Sequence, residues 1–199
     1  MPRIILASQS PRRKRLLEQI GLDFEVHPSN VDEVSSEQEP SLLVEDLALQ
    51  KANDVAHSFP DSLVIGSDTI VVLNNEIIGK PGDEDEAAEF LLNLSDTSHF
   101  VFTGVAFVKT NKNGQIEGSK TFHEQTKVTF SALGEKEIRD YTKSGNPLDK
   151  AGAYGIQDDL GALFVEKIEG DYYNVVGFPL NRFYREIKTF MPELNIMNT

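Results

Sequence analysis

The stretch RIILASQSPRRKRLL, residues 3–17, joins a short apolar run, a loop of small residues and a basic segment. Residues 3–6 predict a short buried strand. Ser10 is a favourable N-cap residue and Pro11 suits the first helical position, so a helix is predicted from Pro11 to about Gly21. A strand that leads through a short loop into a helix, followed by further alternation of strands and helices, predicts an α/β or α+β domain.

Four consecutive cations, residues 12–15, lie at the start of this helix, although the chain carries a formal net charge of -13. A helix N-terminus has a positive partial charge and favours anions. Free backbone N–H groups at a helix start bind phosphate, and arginines clamp phosphate oxygens in pairs. Two interpretations stay open, an anion site or side chains that face solvent. The glycines and the Gly-Lys-Ser/Thr sequence of a P-loop are absent.

Composition limits the classes of protein and partner that the chain fits. With 199 residues, 39% of them hydrophobic, it predicts one domain over residues 1–199 with no separable linker. A pI near 4.7 argues against nucleic acid and membrane as partners. The chain has no cysteine, which excludes disulfides, thiolate metal sites and cysteine nucleophiles. Because no signal peptide or apolar run of ~20 residues is found, we expect a cytoplasmic protein.

Alternating strands and helices are predicted along the rest of the chain. Helices are predicted over residues 41–58, over a segment capped by Asp83 and Glu86, and over 135–143 and 180–190. Strands are predicted over 24–27, 63–73, 76–81, 99–109, 116–133 and 163–168, with hairpin turns at Asn74-Asn75 and at 111–114. Loops are predicted over 28–40, 145–161 and 170–179.

Two charged side chains interrupt apolar patterns. Lys51 continues the apolar stripe of the predicted helix 41–58, where it either extends to the edge of the core or points into a cleft. Asp68 lies in the middle of the apolar strand 63–73. A buried carboxylate requires a partner, a metal ion or a raised pKa. Asp68 is therefore a candidate functional residue, with a hydrogen-bonded structural role as the alternative.

Three further places offer groups for binding. Asp32 and Glu33 in the acidic loop supply oxygen ligands for a hard cation such as Mg2+. Lys80 closes the hairpin that contains Asp68 and either faces the same cleft or faces solvent. Gln157 lies in a glycine-rich segment, where the backbone either approaches a ligand closely or forms a flexible connection. Cations and carboxylates without a serine–histidine triad suit metal-assisted phosphate chemistry.

Five segments in order resemble the Maf family of nucleoside triphosphate pyrophosphatases, once known as septum-formation proteins. They extend over nearly the whole chain and read ASQSPRR (residues 7–13), IGSDT (65–69), GKP (79–81), DKAGAYGIQ (149–157) and GDYYNVVGFP (170–179). Each segment alone is a weak signal, but five in the same order are specific.

The resemblance implies a fold, a reaction and a cofactor. The fold is α/β with a mixed, elongated sheet flanked by helices and two lobes around a central cleft, similar to house-cleaning inosine triphosphatases. The reaction is hydrolysis between the α and β phosphates of a nucleoside triphosphate, which yields a nucleoside monophosphate and pyrophosphate. The implied cofactor is a divalent cation, Mg2+ or Mn2+, and homodimers are frequent in the family.

The resemblance also assigns roles to individual positions. Asp68 matches the catalytic proton acceptor, and with Glu33 it is the expected metal ligand. The positions tied to substrate choice are Arg12, Thr69 and Gln157. The positions expected to bind substrate and its phosphates are Ser8, Arg13, Lys51 and Lys80. We expect Arg12 to bind the triphosphate as well, with Ser8 and the loop amides assisting. How the base and ligand roles divide among Asp68, Asp32 and Glu33 is left open.

Three positions distinguish two branches of the family. Arg13, Lys80 and Gln157 are retained here, which resembles the branch that prefers dTTP and UTP over the branch that prefers 7-methyl-GTP. The chain departs from the common family pattern at residues 94–96 (LSD) and 177–179 (GFP), neither of which touches the expected chemistry. Two alternatives remain: a phosphatase that cleaves between the β and γ phosphates, and a non-catalytic nucleotide-binding regulator of cell division.

Overall fold

The computed structural model describes residues 2–143, 147–157, 160–194 and 196. Within these residues, seven strands form one sheet. The strands are β1 (Arg3–Leu6), β2 (Glu25–Val26), β3 (Ser62–Leu73), β4 (Glu76–Ile78), β5 (Ser98–Thr110), β6 (Ile116–Phe130) and β7 (Val165–Glu169). The predicted strands are all present, although β2, β4 and β6 are shorter than predicted and β7 begins two residues later.

The sheet is mixed, as predicted. Its strand order is β2-β1-β3-β5-β6-β7, with β4 paired to β3 outside this path. β1 is parallel to β2 and to β3, and Ile5 lies opposite both Glu25 and Val64. β4 is antiparallel to β3, and β7 is antiparallel to β6. Parallel pairing of β1 with β3 requires a long crossover, which residues 7–61 supply with two helices.

Six α-helices occur in the described ranges. They are α1 (Pro11–Gln19), α2 (Pro40–Ala56), α3 (Glu84–Leu94), α4 (Glu135–Thr142), α5 (Tyr172–Val176) and α6 (Leu180–Phe190). Short 3-10 helices cover Ala151–Ala153 and Gly161–Phe164. Among these helices of the described chain, none has the length and apolar character that crossing a membrane requires.

The predicted caps and turns explain where most elements begin and end. The Ser10 hydroxyl accepts a hydrogen bond from the Arg13 N–H at the start of α1. Asp83 caps α3 by accepting from the Glu86 N–H at 2.8 Å. The Glu86 carboxylate accepts from the Gly82 N–H, so the reciprocal bond forms one residue earlier than a capping box would place it. At the β3–β4 turn, Asn74 and Asn75 have φ angles of 51° and 67°, as a type I′ hairpin turn requires.

Two local predictions differ from the structure. The predicted loop over 170–179 contains α5, because Asp171 Oδ1 accepts hydrogen bonds from the N–H groups of Tyr173 and Asn174 and so starts a helical turn. The strand predicted from Leu163 begins at Val165, because Gly161–Phe164 form a 3-10 turn. Residues 145, 146, 158 and 159 of the predicted loop 145–161 lie outside the described residues.

The chain divides into two compact units. The first contains the chain up to Asp68, Thr103–Glu124 and the chain from Gly177, and the second contains Thr69–Phe102 and Gln125–Val176. The first unit has a core from β1, α2, β3 and β5 that includes Ile5, Ala48, Ala52, Val55, Val64, Ala106 and Val108. The second has a core that includes Val71, Leu91, Val128, Phe130, Tyr141, Tyr154 and Phe164. The single domain over 1–199 and the central cleft stay predictions.

Candidate active site

Helix α2 lies directly on the backbone of the sheet in the first unit. A Cβ atom on Gly66 of β3 would lie 2.1 Å from the Ala48 carbonyl oxygen and 2.9 Å from the Ala52 nitrogen. A Cβ atom on Gly104 of β5 would lie equally close, 2.1 Å, to the Val44 carbonyl oxygen. These two glycines permit a contact that any side chain would prevent. The close approach brings the α2 residues near Ala48 and Ala52 to the part of β3 that contains Asp68.

Lys51 of α2 and Asp68 of β3 form the central contact of the candidate site. The Lys51 ammonium donates a hydrogen bond to Asp68 Oδ1 at 2.6 Å. The same ammonium lies 3.0 Å from Glu33 Oε1. The Lys51 and Asp68 side chains are 14% and 13% exposed, whereas that of Glu33 is 46% exposed. Lys51 therefore points to a carboxylate and is largely covered, and the predicted need of Asp68 for a partner is met.

The low exposure of this pair determines its electrostatics. Water screens the Lys51 and Asp68 charges only in part, so their attraction is stronger than that of an exposed pair. Removal of one partner from a buried pair leaves an uncompensated charge, at a typical cost of about 3–5 kcal/mol. The pair is therefore a stabilising contact of the protein, and Glu33 contacts Lys51 from the more exposed acidic loop.

Arg13 of α1 binds three oxygen atoms of the protein. Its Nε donates to the Gly177 carbonyl at 3.1 Å. Its Nη1 donates to Ser8 Oγ at 3.1 Å and to the Ser67 carbonyl at 2.9 Å. Ser8 is buried, and its hydroxyl also accepts from the Ser10 N–H at 3.2 Å. Arg13 thereby ties the loop after β1 to the residue that immediately precedes Asp68 and to the segment before α6.

The electrostatic surroundings of Arg13 link it to the carboxylates. Burial lowers the pKa of the Arg13 guanidinium below its ordinary value, whereas the charges of Asp68 and Glu33 act in the opposite direction. The neighbouring charge of Arg12 lowers the same pKa further. An arginine remains protonated in proteins. Ser8, Arg13, Lys51, Asp68 and Glu33 therefore belong to one charged region of the first unit.

The remaining cations of the basic segment separate into two classes. Arg12 is half-buried, whereas Lys14 and Arg15 are exposed. Lys14 lies 3.7 Å from Glu18 in a surface pair in which both side chains are about half exposed. Such pairs contribute little to stability. The exposure agrees with the interpretation that Lys14 and Arg15 are solvated, and it leaves Arg12 and Arg13 as the candidates for substrate contact.

Three predicted site residues belong to the second unit. Thr69 follows Asp68 on β3 and is half-buried, while Lys80 and Gln157 are exposed. The Gly79 carbonyl accepts a hydrogen bond from the Gly152 N–H at 3.0 Å, which joins the GKP segment to the 3-10 turn Ala151–Ala153. Two of the five family segments are thus in contact within this unit.

The residues present fit a divalent cation through their chemistry. The described residues contain no group of three or more His, Asp or Glu side chains arranged to hold an ion. Asp68 and Glu33 nevertheless direct one oxygen each to the same point, which the Lys51 ammonium marks. Mg2+ is commonly held by one or two carboxylates with substrate phosphates as further ligands. Asp32 is exposed, and its predicted contribution stays a prediction.

Sequence reasoning missed several contacts. The carbonyls of Ser67 and Gly177 hold Arg13, and a backbone acceptor leaves no trace in residue identity. The histidines lie in more specific surroundings than their scattered positions indicate. His123 Nδ1 lies 2.6 Å from Glu45 Oε1, and the Thr121 hydroxyl donates to the other oxygen of that carboxylate. Alternation along β6, which places Thr121 and His123 on one face, was the available signal.

Comparisons with known proteins confirm the resemblance to the Maf family. The family model described as Maf-like protein matches residues 3–190. A protein of Lachnoclostridium phytofermentans named dTTP/UTP pyrophosphatase is 49% identical over 191 residues, which cover 96% of each chain. A Bacillus cereus protein of the same name is 50% identical over 191 residues, with the same coverage.

One solved structure, that of the Staphylococcus aureus Ham1 protein, superimposes with a TM-score of 0.46 at 18% identity. The match covers 64% of this chain and 71% of that chain. The family assignment rests on the family model and the two relatives, which match nearly the full length. This chain belongs to the Maf-like protein family.

Proposed function

We propose that this protein hydrolyses dTTP and UTP between the α and β phosphates, giving the nucleoside monophosphate and pyrophosphate. The observation that carries the proposal is the similarity to relatives named dTTP/UTP pyrophosphatase, at about half identity over 96% of the chain. The cluster of Lys51, Asp68 and Glu33 supports it, because such a cluster combines a carboxylate base with a cation for phosphate.

Asp68 is the residue that we assign to the attacking water. Its carboxylate orients the water or accepts its proton for in-line attack on the α phosphorus. Before substrate binds, the hydrogen bond from Lys51 holds this carboxylate in one orientation. Glu33, from the more exposed loop, is the second carboxylate of the site and supports Asp68. Asp32 remains the alternative to Glu33.

We assign binding of the triphosphate to positively charged side chains. Arg12 and Lys51 bind phosphate oxygens, and the buried Ser8 hydroxyl and the N–H groups of the loop before α1 assist. The assignments of Arg13 and Lys80 to phosphate rest on the family resemblance. For Arg13, three bonds to protein oxygens support an additional role, which is to hold the Ser67 carbonyl beside Asp68.

We assign selection of the substrate's nucleobase to Gln157 and Thr69, with Arg12 as the third position. A glutamine side chain offers both a donor and an acceptor, which is the pattern needed by the imide edge of thymine or uracil. Exposure of Gln157 is compatible with a ligand contact. These assignments rest on the resemblance to the branch that prefers dTTP and UTP.

A divalent cation is part of the proposal. Mg2+ or Mn2+ would be held by Asp68 and Glu33, and when bound it supplies neutralisation of charge at the α phosphate. The chain's own cations act on the same phosphate charge. A cytoplasmic location, a homodimer and the absence of nucleic acid and membrane partners complete the proposal. The net charge of -13 supports the absence of these two kinds of partner.

A nucleotide panel with Mg2+ tests the proposal. Pyrophosphate, inorganic phosphate and the nucleotide product are all scored for dTTP, UTP, 7-methyl-GTP and the common triphosphates. We expect pyrophosphate and a monophosphate from dTTP and UTP, and Asp68→Asn should lower the rate by about 10²–10⁴-fold. Inorganic phosphate as the product identifies a β–γ phosphatase. Tight binding with negligible turnover identifies a nucleotide-binding regulator, and preference for 7-methyl-GTP refutes the choice of branch.

A further inference from the structure

The Lys51 ammonium occupies the point at which the two candidate metal ligands converge. It lies 2.6 Å from Asp68 Oδ1 and 3.0 Å from Glu33 Oε1. Mg2+ binds oxygen at about 2.0–2.1 Å. The ammonium is thus a cation on the same two oxygens, at hydrogen-bond distances about 0.5–1 Å longer than those of a metal ion.

The local charges argue against a lysine and a metal ion on these oxygens together. Asp68 and Glu33 carry two negative charges, which the positive charges of Lys51 and Arg13 balance formally. A divalent cation between the carboxylates would meet the Lys51 ammonium at close range, in a region where water screens only in part. Metal binding therefore requires that the ammonium leaves, and a metal ion alone offers it no other anionic partner.

A nucleoside triphosphate provides that partner. Its phosphates are more negative than the carboxylates that Lys51 would leave, and a lysine is a flexible point charge on a long stem. The root of that stem is fixed, since Ala48 and Ala52 on either side of Lys51 are fully buried against β3. A change of partner therefore requires rotation of the lysine side chain and leaves α2 in place.

We propose that Lys51 is an exchangeable cation, which holds Asp68 and Glu33 in the metal-free protein and moves to the substrate phosphates when metal and nucleotide bind. This inference rests on the proposed nucleotide substrate and goes beyond it. Because metal and nucleotide both favour the released lysine, each strengthens binding of the other, and the coupling is reciprocal. Lys51 delays metal binding until a substrate is present.

The test measures Mn2+ binding without nucleotide, from the electron paramagnetic resonance signal of free Mn2+. Lys51→Met frees the two carboxylates, so we expect its Mn2+ affinity to be about tenfold higher than that of the wild type, within the usual 5–150-fold range for coupled sites. Lys51→Arg keeps a cation on both oxygens and should leave Mn2+ binding weak.

Lys109→Met is the matched control. Lys109 also lies between two carboxylates, those of Glu117 and Glu193, but at 3.7 and 3.8 Å and at a more exposed position. Lys109→Met removes the same charge from the same unit as Lys51→Met. It therefore reports how much a change of net charge alone affects Mn2+ binding. Equal affinities of Lys51→Met and Lys109→Met for Mn2+ would overturn the proposal.

The same substitution in an Asp68→Asn background tests whether the gain in Mn2+ affinity depends on Asp68. In Asp68→Asn protein, Lys51→Met should no longer raise the Mn2+ affinity, and a retained gain would also contradict the exchange. Lys51→Gln replaces Lys51→Met if the latter is unfolded by circular dichroism. Pyrophosphate release by the wild type is measured separately. Its absence refutes the proposed function, whereas the Mn2+ comparison involves no nucleotide and judges the exchange on its own.

Discussion

Substitution of Gly66 by alanine is the most direct test of how α2 and β3 build the site. The new Cβ would lie 2.1 Å from the Ala48 carbonyl oxygen, where real contacts essentially never fall below 3.0 Å. Because the obstructing atom belongs to the backbone of α2, rotation of a side chain cannot relieve the clash. The helix must move from the strand by at least about 0.9 Å.

This displacement changes the contact between Lys51 and Asp68. Lys51 lies on α2, and Asp68 lies two residues after Gly66 on β3. Lys51 Nζ is 2.6 Å from Asp68 Oδ1. A shift of α2 by about 0.9 Å moves the backbone that carries Lys51 relative to Asp68, and so misplaces the ammonium both for Asp68 and for a substrate phosphate. A misplacement of about 1 Å typically costs 10²-fold in rate, and overpacking costs about 1–3 kcal/mol in the free energy of unfolding.

The assay measures pyrophosphate release from dTTP together with urea unfolding. We expect kcat to fall about 10²-fold at a temperature at which circular dichroism shows Gly66→Ala to be folded. Gly118→Ala is the control, because Gly118 is also a strand glycine of the first unit, and its new Cβ would only approach the Phe190 ring at 3.9 Å. This control should keep its activity and gain slightly in stability.

A Gly66→Ala protein with kcat within twofold of the wild type would refute the reasoning. That result would show that the helix can give way without moving Lys51 from Asp68. A loss of stability with unchanged activity would have the same meaning, since it would separate the packing of α2 from the chemistry of Asp68.

Three further predictions follow from single contacts. Arg13→Lys removes the planar guanidinium that binds the Ser67 and Gly177 carbonyls. The free energy of unfolding measured in urea should therefore fall by about 2 kcal/mol, and kcat should be lower. Unchanged values of both would contradict a stabilising role of these hydrogen bonds. Alanine at both Arg12 and Arg13 should raise KM for dTTP far more than alanine at the exposed Lys14 and Arg15, and equal effects would refute the division. Burial lowers the pKa of His99 from 6.5 to about 4. Because the unfolded state binds the proton more readily, the stability due to neutral His99 is present above pH 6.5 and is lost toward pH 4, on the order of 3 kcal/mol. His99→Gln should lose that part of the pH dependence in urea titrations at pH 4–7, and parallel curves for the two proteins would contradict it.

Much of the fold follows from local patterns in the sequence. Ser10 and Pro11 predict the start of α1, and the Asn74-Asn75 pair predicts the hairpin, because each acts within its own turn. The helix α5 was missed because the cap at Asp171 starts a single short turn of helix, which gives too few residues for a periodic pattern.

The candidate site follows from the sequence only in part. A buried carboxylate predicts that Asp68 has a partner, but the identity of the partner depends on which helix packs on β3. The apolar stripe of α2 is compatible with Lys51 at the edge of the core as well as with Lys51 over the strand. The family resemblance selected Lys51, and the contact of 2.6 Å explains its place physically.

The pairing of α2 with β3 is the step that local patterns do not contain. Ala48 and Ala52 on the helix and Gly66 on the strand are individually ordinary residues, yet their common lack of bulk permits contact between the two backbones. Because the two backbones lie so close, the Lys51 ammonium is within reach of Asp68. The small residues Ala48, Ala52 and Gly66 therefore determine where the ion pair of Lys51 and Asp68 lies. A chain with the same cations and carboxylates but bulkier residues at these three positions would keep the motif and lose the geometry.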